Sequence, residues 1–499
     1  MSNLSSQQIN SSFPNLLQIP GGIKSYLQTV QDGYGNPTAL QISTTSTNVV
    51  SNPSTITPEQ FGAVGNGVAD DTIPMQTALN YMTNGVLQLR SGATYLCGSL
   101  TVSNSTSING SNSTIKAKGV LNTLVLYNAG CNNFFVNGVT FNGNNVAKYL
   151  LDFVTAQYAV IQNSNFLSYI NWGIGLQSCS NVLVNNNYIK RDSASSVGVN
   201  EGIWIGTNIT NSQYVTISNN TLINGGLLSS ATDGHSISYY NYINNHVSGW
   251  KYGGGFGMGA DTGSGSSASF VNISGNYCSS GTGIDSDNLS LKGIECFAGY
   301  AKISNNTLFG NSGPGIFASG YNQVISNNLC LNNGTYGEAN VGGITIGAAA
   351  NSVSVTGNKC SDTAGASGTQ KYGISINSSA TQINISANHL VNNSVGNLYA
   401  PGYSNGVSFS GRQYYASVVW DPASIANGSS ASTTISIGSS LGKTVTASCS
   451  NPLLGLSLTA YVSATNQVTI LLQNNTGAAV DLASSTFTVC VSDTIFNSA

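Results

Sequence analysis

The chain has 499 residues, with 58 glycines but only 10 prolines, and just 6% of its residues are charged, for a formal net charge of −3. Hydrophobic residues make up 40%, too many for a disordered polymer, and the near-neutral balance excludes electrostatic binding to nucleic acid or to an anionic membrane. No run of 18 apolar residues suggests a membrane span, so membrane insertion is not expected.

Residues 1–56 open polar, without the basic and apolar segments of a signal peptide. Phe13 to Leu27 has the spacing of a short amphipathic helix, and Asp32-Gly33-Tyr34-Gly35-Asn36-Pro37 reads as a turn. Between 57 and 118, the string Phe61 to Thr72 leads into a helix on which Met75, Leu79 and Met82 share a face. Asp70, Asp71 and Thr72 offer capping oxygens, and Pro74 fits the first turn. Gly85 to Leu89 follows as a strand, and Ser91 to Tyr95 as a turn.

From about Phe134 to Ser410 two short patterns alternate. One is Gly-apolar-x-apolar, as in Gly173 to Leu176, Gly202 to Ile205, Gly293 to Cys296, Gly343 to Ile346 and Gly406 to Phe409. The other is apolar-x-apolar-x-x-Asn, anchored at Val136, Ile161, Val184, Ile217, Tyr242, Ile273, Ile303, Ile325, Val355 and Ile385, which lie 22 to 33 residues apart. Alternation within each pattern predicts strands with one buried face, and a repeat of this length predicts stacked coils. Asn suits a fixed turn position because it tolerates left-handed backbone, and stacked Asn can form an amide ladder. A leucine-rich-repeat horseshoe is the rival, but its leucine framework is missing. The expected fold is all-β: a right-handed parallel β-helix over 57–412, with 57–118 as cap and first coils. Residues 413–499 instead alternate over Ala416 to Trp420, Ser432 to Ile437, Thr444 to Ser448, Leu456 to Val462, Gln467 to Gln473 and Thr486 to Val491, which predicts a β-sandwich.

The Phe61 to Thr72 entry resembles the N-terminal cap of the pectate-lyase-like superfamily of β-helix proteins. The leader resembles attachment segments of bacteriophage tail fibres. Leu458 to Ile470, with Asn475-Thr476-Gly477 and Val480 to Ser484, resembles a sandwich module at the C-terminus of phage tail proteins. Together these resemblances imply a tailspike or tail-fibre protein of the virion tail, assembled in the host cytoplasm. They imply a homotrimer, attachment to other tail proteins through residues 1–56, and binding, often with cleavage, of host surface polysaccharide.

Nine cysteines form no CxxC pair. Cys278, Cys330 and Cys360 share one inward repeat position and Cys296 another, so core thiols are expected; Cys449 and Cys490 could pair, but reducing cytoplasm favours free thiols. His235, His246 and His389 lack metal spacing, and no metal or cofactor is expected. In Gly-Ile-x-Ile the residue x points outward. Coil by coil it reads Asp152, Gly175, Trp204, Ser236, Gly257, Glu295, Phe317, Thr345, Ser375 and Ser408. Trp204 and Phe317 are candidates for stacking on sugars. The position two residues before the first inward apolar residue reads Trp172, Glu201, Asp233, Gly254, Lys292 and Pro314. Glu201 and Asp233 are therefore expected on successive coils, about 4.8 Å apart, with Glu295 two coils further. Carboxylates that close suit a general acid and its partner in glycoside hydrolysis. The expected catalytic residues are Glu201, Asp233 and Glu295, and the expected glycan contacts are Trp204, Phe317, Trp172 and Lys292. Turn-capping by Asp233 and calcium ligation by the pair compete with that reading. A non-enzymatic adhesin competes with the hydrolase, as does a polysaccharide lyase, for which only Lys251 and Lys292 supply basic groups.

Overall fold

The computed structural model describes residues 24, 28–31, 37–42, 47–49, 54–82, 84–192, 201–250, 256–260, 266–282, 291–337, 339–401, 408–410, 413–437 and 443–492. The expected leader helix and turn, Lys251, Gly254 and Gly406 lie outside them. The chain packs as two units: Met1–Asn351 with Lys359–Ala380 and Leu390–Pro401, and Ser352–Asn358 with Thr381–His389 and Gly402–Ala499.

The first unit is a right-handed parallel β-helix. Each coil gives one strand to a twelve-stranded parallel sheet running from Leu100–Val102 to Gly396–Tyr399. The rest of the coil forms a second wall, typically of two short strands such as Gln157–Gln162 and Asn165–Leu167. On that wall Val136, Ile161, Val184, Ile217, Tyr242, Ile273, Ile303 and Ile325 are successive register partners. All are fully buried, so the anchor column expected from the sequence is the observed inner column. Each such side chain contributes roughly 1.5–3 kcal/mol on leaving water. Cys278, Leu308, Cys330 and Cys360 form a parallel inner column, and all nine cysteines are free thiols.

The corner between the two strands divides its work between neighbours. The residue in left-handed backbone is Asn186, Asn219, Asn244, Gly275, Asn305 or Asn327, with φ from 55° to 70°. The next residue, not the left-handed one, builds the ladder. Asn187, Asn220, Asn245, Asn276 and Asn306 each donate backbone N–H and side-chain Nδ2 to the side-chain oxygen of the following coil's Asn, at 2.8–3.1 Å. Nδ2 also satisfies a buried carbonyl of the coil before, as Asn276 does for Tyr242 at 2.9 Å. A different left-handed corner carries Tyr214, Tyr239, Phe270 and Tyr300, whose rings stack at 4.9, 5.0 and 5.0 Å on the outside. That spacing is the coil repeat itself, and stacking offsets the strain of bulky residues at positive φ.

Two coils depart from the expected register. Glu201–Thr207 pairs with Gly226–Ala231, not with a strand at Ile237. Ile237 belongs to Ser236–Ile243 on the second wall. The strand was hidden because its second inward residue is Ser229, fully buried in register with Ile205, where the pattern calls for an apolar side chain. Similarly, Tyr372–Ile376 pairs with Gly396–Tyr399, and Ser408–Ser410 instead pairs with Asn384–Ser386 in the second unit.

The N-terminal cap holds the helix Thr72–Tyr81, with Met75, Ala78 and Leu79 buried and Met82 buried just beyond it. Asp70 accepts from the Thr72 amide at 3.1 Å and pairs with Lys118. Asp71 turns away from the helix and accepts from the amides of Val64 and Gly65, at 2.7 and 3.1 Å. A three-stranded antiparallel sheet, Gln28–Gln31, Pro37–Ile42 and Thr47–Val49, was not expected.

The second unit has an Asn step of the same kind, in which Asn358 donates its backbone N–H and Nδ2 to the side-chain oxygen of Asn388, both at 2.9 Å. Its sandwich sets Gln413–Trp420, Ser485–Ser492 and Thr444–Cys449 in one antiparallel sheet. Ser430–Ser436, Gln467–Gln473 and Ser457–Ala464 form the other. Alternate residues such as Val468, Ile470, Leu472, Phe487, Val489 and Val491 fill the core.

Asn276→Ala would strand the buried amide of Asn245 and the carbonyl of Tyr242, at about 1–3 kcal/mol each. It should lower the thermal unfolding temperature by several degrees. The exposed Asn165→Ala, away from the ladder, should change it little.

Candidate functional site

The outward row of the twelve-stranded sheet reads, in register, Asp152, Gly175, Trp204, Leu228, Gly257, Glu295, Phe317, Thr345, Ser375 and Tyr399. Eight of these ten follow from the repeat alone. Leu228 and Tyr399 stand where Ser236 and Ser408 were expected.

At one end the rings of Tyr149, Trp172 and Trp204 form a rack, with centroids 3.8 and 4.9 Å apart and planes within 16°. Trp172 begins its strand at the corner, and its indole folds over Gly175. A Cβ at Gly175 would lie 2.6 Å from Trp172 Nε1 and 2.5 Å from Asp152 Oδ1, so only glycine allows this seat. Asp152 is 5% exposed and accepts from Gln177 Nε2 at 2.9 Å through Oδ2. Its Oδ1, like Trp172 Nε1, is buried without a partner. Burial pushes the Asp152 carboxyl up to about 6, against the hydrogen bond from Gln177.

The three expected carboxylates do not come together. Glu201 pairs in register with Trp172 on one side and Gly226 on the other. It is 1% exposed, and burial alone raises its carboxyl to about 8. It is thus protonated at neutral pH and shut away from the outward face. Asp233 lies past Ala231 in an exposed turn at φ 54°, leading into the second wall. Its expected proximity to Glu201 is overturned by the pairing of Glu201 with Gly226. Glu295 does stand on the row. Asp152, the other acidic residue on it, is five coils away, roughly 24 Å at the strand spacing. Retaining and inverting pairs need about 5 and 6.5–9.5 Å, so this row holds no such pair among the described residues.

Around Glu295 a compact cluster forms. Lys292 Nζ lies 3.2 Å from Glu295 Oε1 and 5.8 Å from the centre of the Phe317 ring. Phe297 leans on Phe317 at 5.8 Å and is itself 41% exposed. From Phe317 an open groove of about 380 Å³ continues along the sheet, lined by Asn340, Thr345, Ser375, Asn377 and Tyr399 among others. Its polar groups are neutral amides and hydroxyls, and an aromatic ring stands at either end. The groove's far wall was missed in sequence because Asn340 and Tyr399 sit outside the Gly-Ile-x-Ile pattern. Among the described residues no three His, Cys, Asp or Glu side chains are grouped to hold a metal.

No family model and no curated protein matches this chain. Solved structures do. The Dettilon tailspike protein (gp208) is 16% identical over 88% of this chain and 94% of its own, with a TM-score of 0.52. A tailspike mutant of E. coli bacteriophage HK620, in complex with pentasaccharide, is 11% identical over 90% and 96%, with a TM-score of 0.55. The A-module of the Azotobacter vinelandii mannuronan C-5 epimerase AlgE6 is 16% identical over 71% and 98%, with a TM-score of 0.52. At these identities the likeness is one of fold.

Glu201 carries a pH signature. Its carboxyl titrates near 8 in the folded chain against 4.5 unperturbed, so the folded state keeps a proton that the unfolded chain releases. The stability this brings is complete below about pH 4.5 and is lost as pH rises to about 8. Glu201→Gln, neutral throughout, should be more stable than the wild type at pH 8 and should converge with it near pH 4.5 in thermal melts. Parallel melting curves across that window would mean that Glu201 is ionised and paired.

Proposed function

We propose that this chain is a bacteriophage tail protein that binds a host surface polysaccharide in the groove running from Lys292 and Glu295 over Phe317 to Tyr399. The observation that carries this reading is the groove itself. Among the described residues it is uncharged beyond the Lys292–Glu295 pair, framed by aromatic rings, and of the volume of small-molecule sites. Amide and hydroxyl groups match sugar hydroxyls, and Phe317 and Tyr399 offer apolar faces for sugar C–H groups. The likeness in fold to tailspikes, one of them complexed with a pentasaccharide, supports the same reading. So does a composition almost free of charge.

Hydrolysis is the further possibility, and Glu295 is the expected carboxylate placed to reach a glycan in this groove. Its partner at catalytic distance then comes from outside the row, which fits a homotrimer in which neighbouring copies complete the site. The chain assembles in the host cytoplasm, where its thiols stay reduced, and attaches to other tail proteins through residues 1–56.

Purified capsular and O-antigen polysaccharides from candidate hosts should include one that binds. Phe317→Ala and Tyr399→Ala should each weaken binding about tenfold, the scale of a lost aromatic contact. Wild-type binding by both variants would move the site elsewhere. If new reducing ends appear, Glu295→Gln should cut their release about a hundredfold or more; binding without release favours the adhesin. Light scattering should give three times the 51.4 kDa chain mass, and deletion of residues 415–499 should yield monomer or aggregate.

A further inference from the structure

At the corner where the chain passes from the twelve-stranded sheet to the second wall, one left-handed position recurs coil after coil. Four successive coils place Tyr214, Tyr239, Phe270 and Tyr300 there, and the coils on either side place Asn181 and Asn322, all with φ between 51° and 58°. Asn takes this backbone at little cost, whereas a bulky ring does not. The four rings therefore depart from the rule that the chain itself follows at this corner. Stacking offsets the strain through the ring faces, but it leaves the ring edges in solvent. Tyr214, Tyr239, Phe270 and Tyr300 are 53, 43, 46 and 49% exposed. Tyr321, 47% exposed, ends the column edge-on to Tyr300 at 5.2 Å.

The column is roughly 20 Å long at the strand spacing. An aromatic side chain covers about 150–250 Å², so five half-exposed rings present roughly 500 Å² in one strip. A patch of that size on a monomer marks an interaction site. It is more than half of the roughly 800 Å² that one partner brings to a stable interface. Within two residues of any of the five, Lys302 is the single charge, so two such strips can meet with little repulsion.

The occupant follows from what the column leaves free. Stacking takes up the ring faces, so a sugar has none to lie on. Only edges remain, repeating in one line every 4.9–5.2 Å. A partner that covers them all needs the same repeat, and a second stack of the same rings has it. The hydroxyls of Tyr214, Tyr239 and Tyr300 can each donate to and accept from their own kind, and Phe270 offers its like a C–H edge. A corner, unlike a flat wall, also lets two or three copies approach one line.

We infer that this column seats a second copy of the chain, like column against like column and parallel, about an axis running along the solenoid. The inference rests on the homotrimer reading above and adds the surface that faces the axis. The strands leading into Tyr300 and Tyr321 carry Glu295 and Phe317, so a copy seated here borders the groove.

The test is cross-linking of the full chain with a short bis-maleimide after Tyr214→Cys, Tyr239→Cys or Tyr300→Cys, one at a time. Around a parallel axis each residue faces its own counterpart, so each single variant should give a covalent dimer on a denaturing gel. A threefold axis leaves one chain in three unlinked. Wild type, with its nine native thiols, and the exposed Asn165→Cys should give none. In light scattering on dilution, Tyr239→Asn with Phe270→Asn, which installs the side chain of the flanking coils, should dissociate at about tenfold higher concentration than wild type, the scale of a lost aromatic contact. An assembled protein in which no column variant links to itself, or in which the Asn variant dissociates as wild type does, would overturn the column alone. Wild type at the 51.4 kDa of a single chain would overturn the homotrimer with it.

Discussion

Every residue of a β-helix faces its counterpart on the next coil at the spacing of paired strands, about 4.8 Å. Whatever occupies a position must therefore tolerate a neighbour of its own kind at that distance. Amides meet this demand best, because each Asn can accept and donate along the stack. The ladder from Asn187 to Asn306 and on to Asn328 does so while satisfying buried carbonyls. Aromatic rings meet it by stacking, as Tyr214 to Tyr300 do. Charges do not meet it, since like charges at this distance repel. A chain with 6% charged residues is the composition that such stacking favours.

The same constraint shapes the outward row. A coil can open space there only by using a small residue, and Gly175 does so by letting the Trp172 indole lie against the strand. Further along, Thr345 and Ser375 keep the floor low between Phe317 and Tyr399, and the groove results. Lys292 and Glu295 show how charge is admitted: as an opposite pair within one coil rather than as like charges on successive ones.

Buried polar atoms without hydrogen-bond partners are spread along the described coils, from Ser113 and Asp152 through Glu201 to Ser304 and Gln323, although the ladder beside them is bonded throughout. A fold that satisfies its Asn side chains so completely has no structural need for these exceptions. Sites where a sequence violates its own local rules are where function is expected.

Alternation along a strand is local, so the sequence alone determined the strands that keep the repeat pattern, the inner column from Val136 to Ile325, the cap helix and the sandwich; it did not show Gly226–Ala231 or the sheet of Gln28–Gln31, Pro37–Ile42 and Thr47–Val49. It also placed Trp204, Glu295, Phe317, Thr345 and Ser375 on one row, because their coils keep Gly-apolar-x-apolar intact. The tertiary structure decided which strands meet. Loops of different length separate the coils, and no periodicity records which segment returns to the sheet. Ser229 faces inward because its strand pairs between Glu201–Thr207 and Phe256–Ala260, a pairing that neither stretch reveals. Asp233 consequently leaves the row, Leu228 takes the place expected for Ser236, and Gly396–Tyr399 replaces the expected strand at Gly406. Burial, too, belonged to the structure. Glu201 was legible as an acid at the start of a strand, but the corner that encloses it is built from residues one coil before and one coil after.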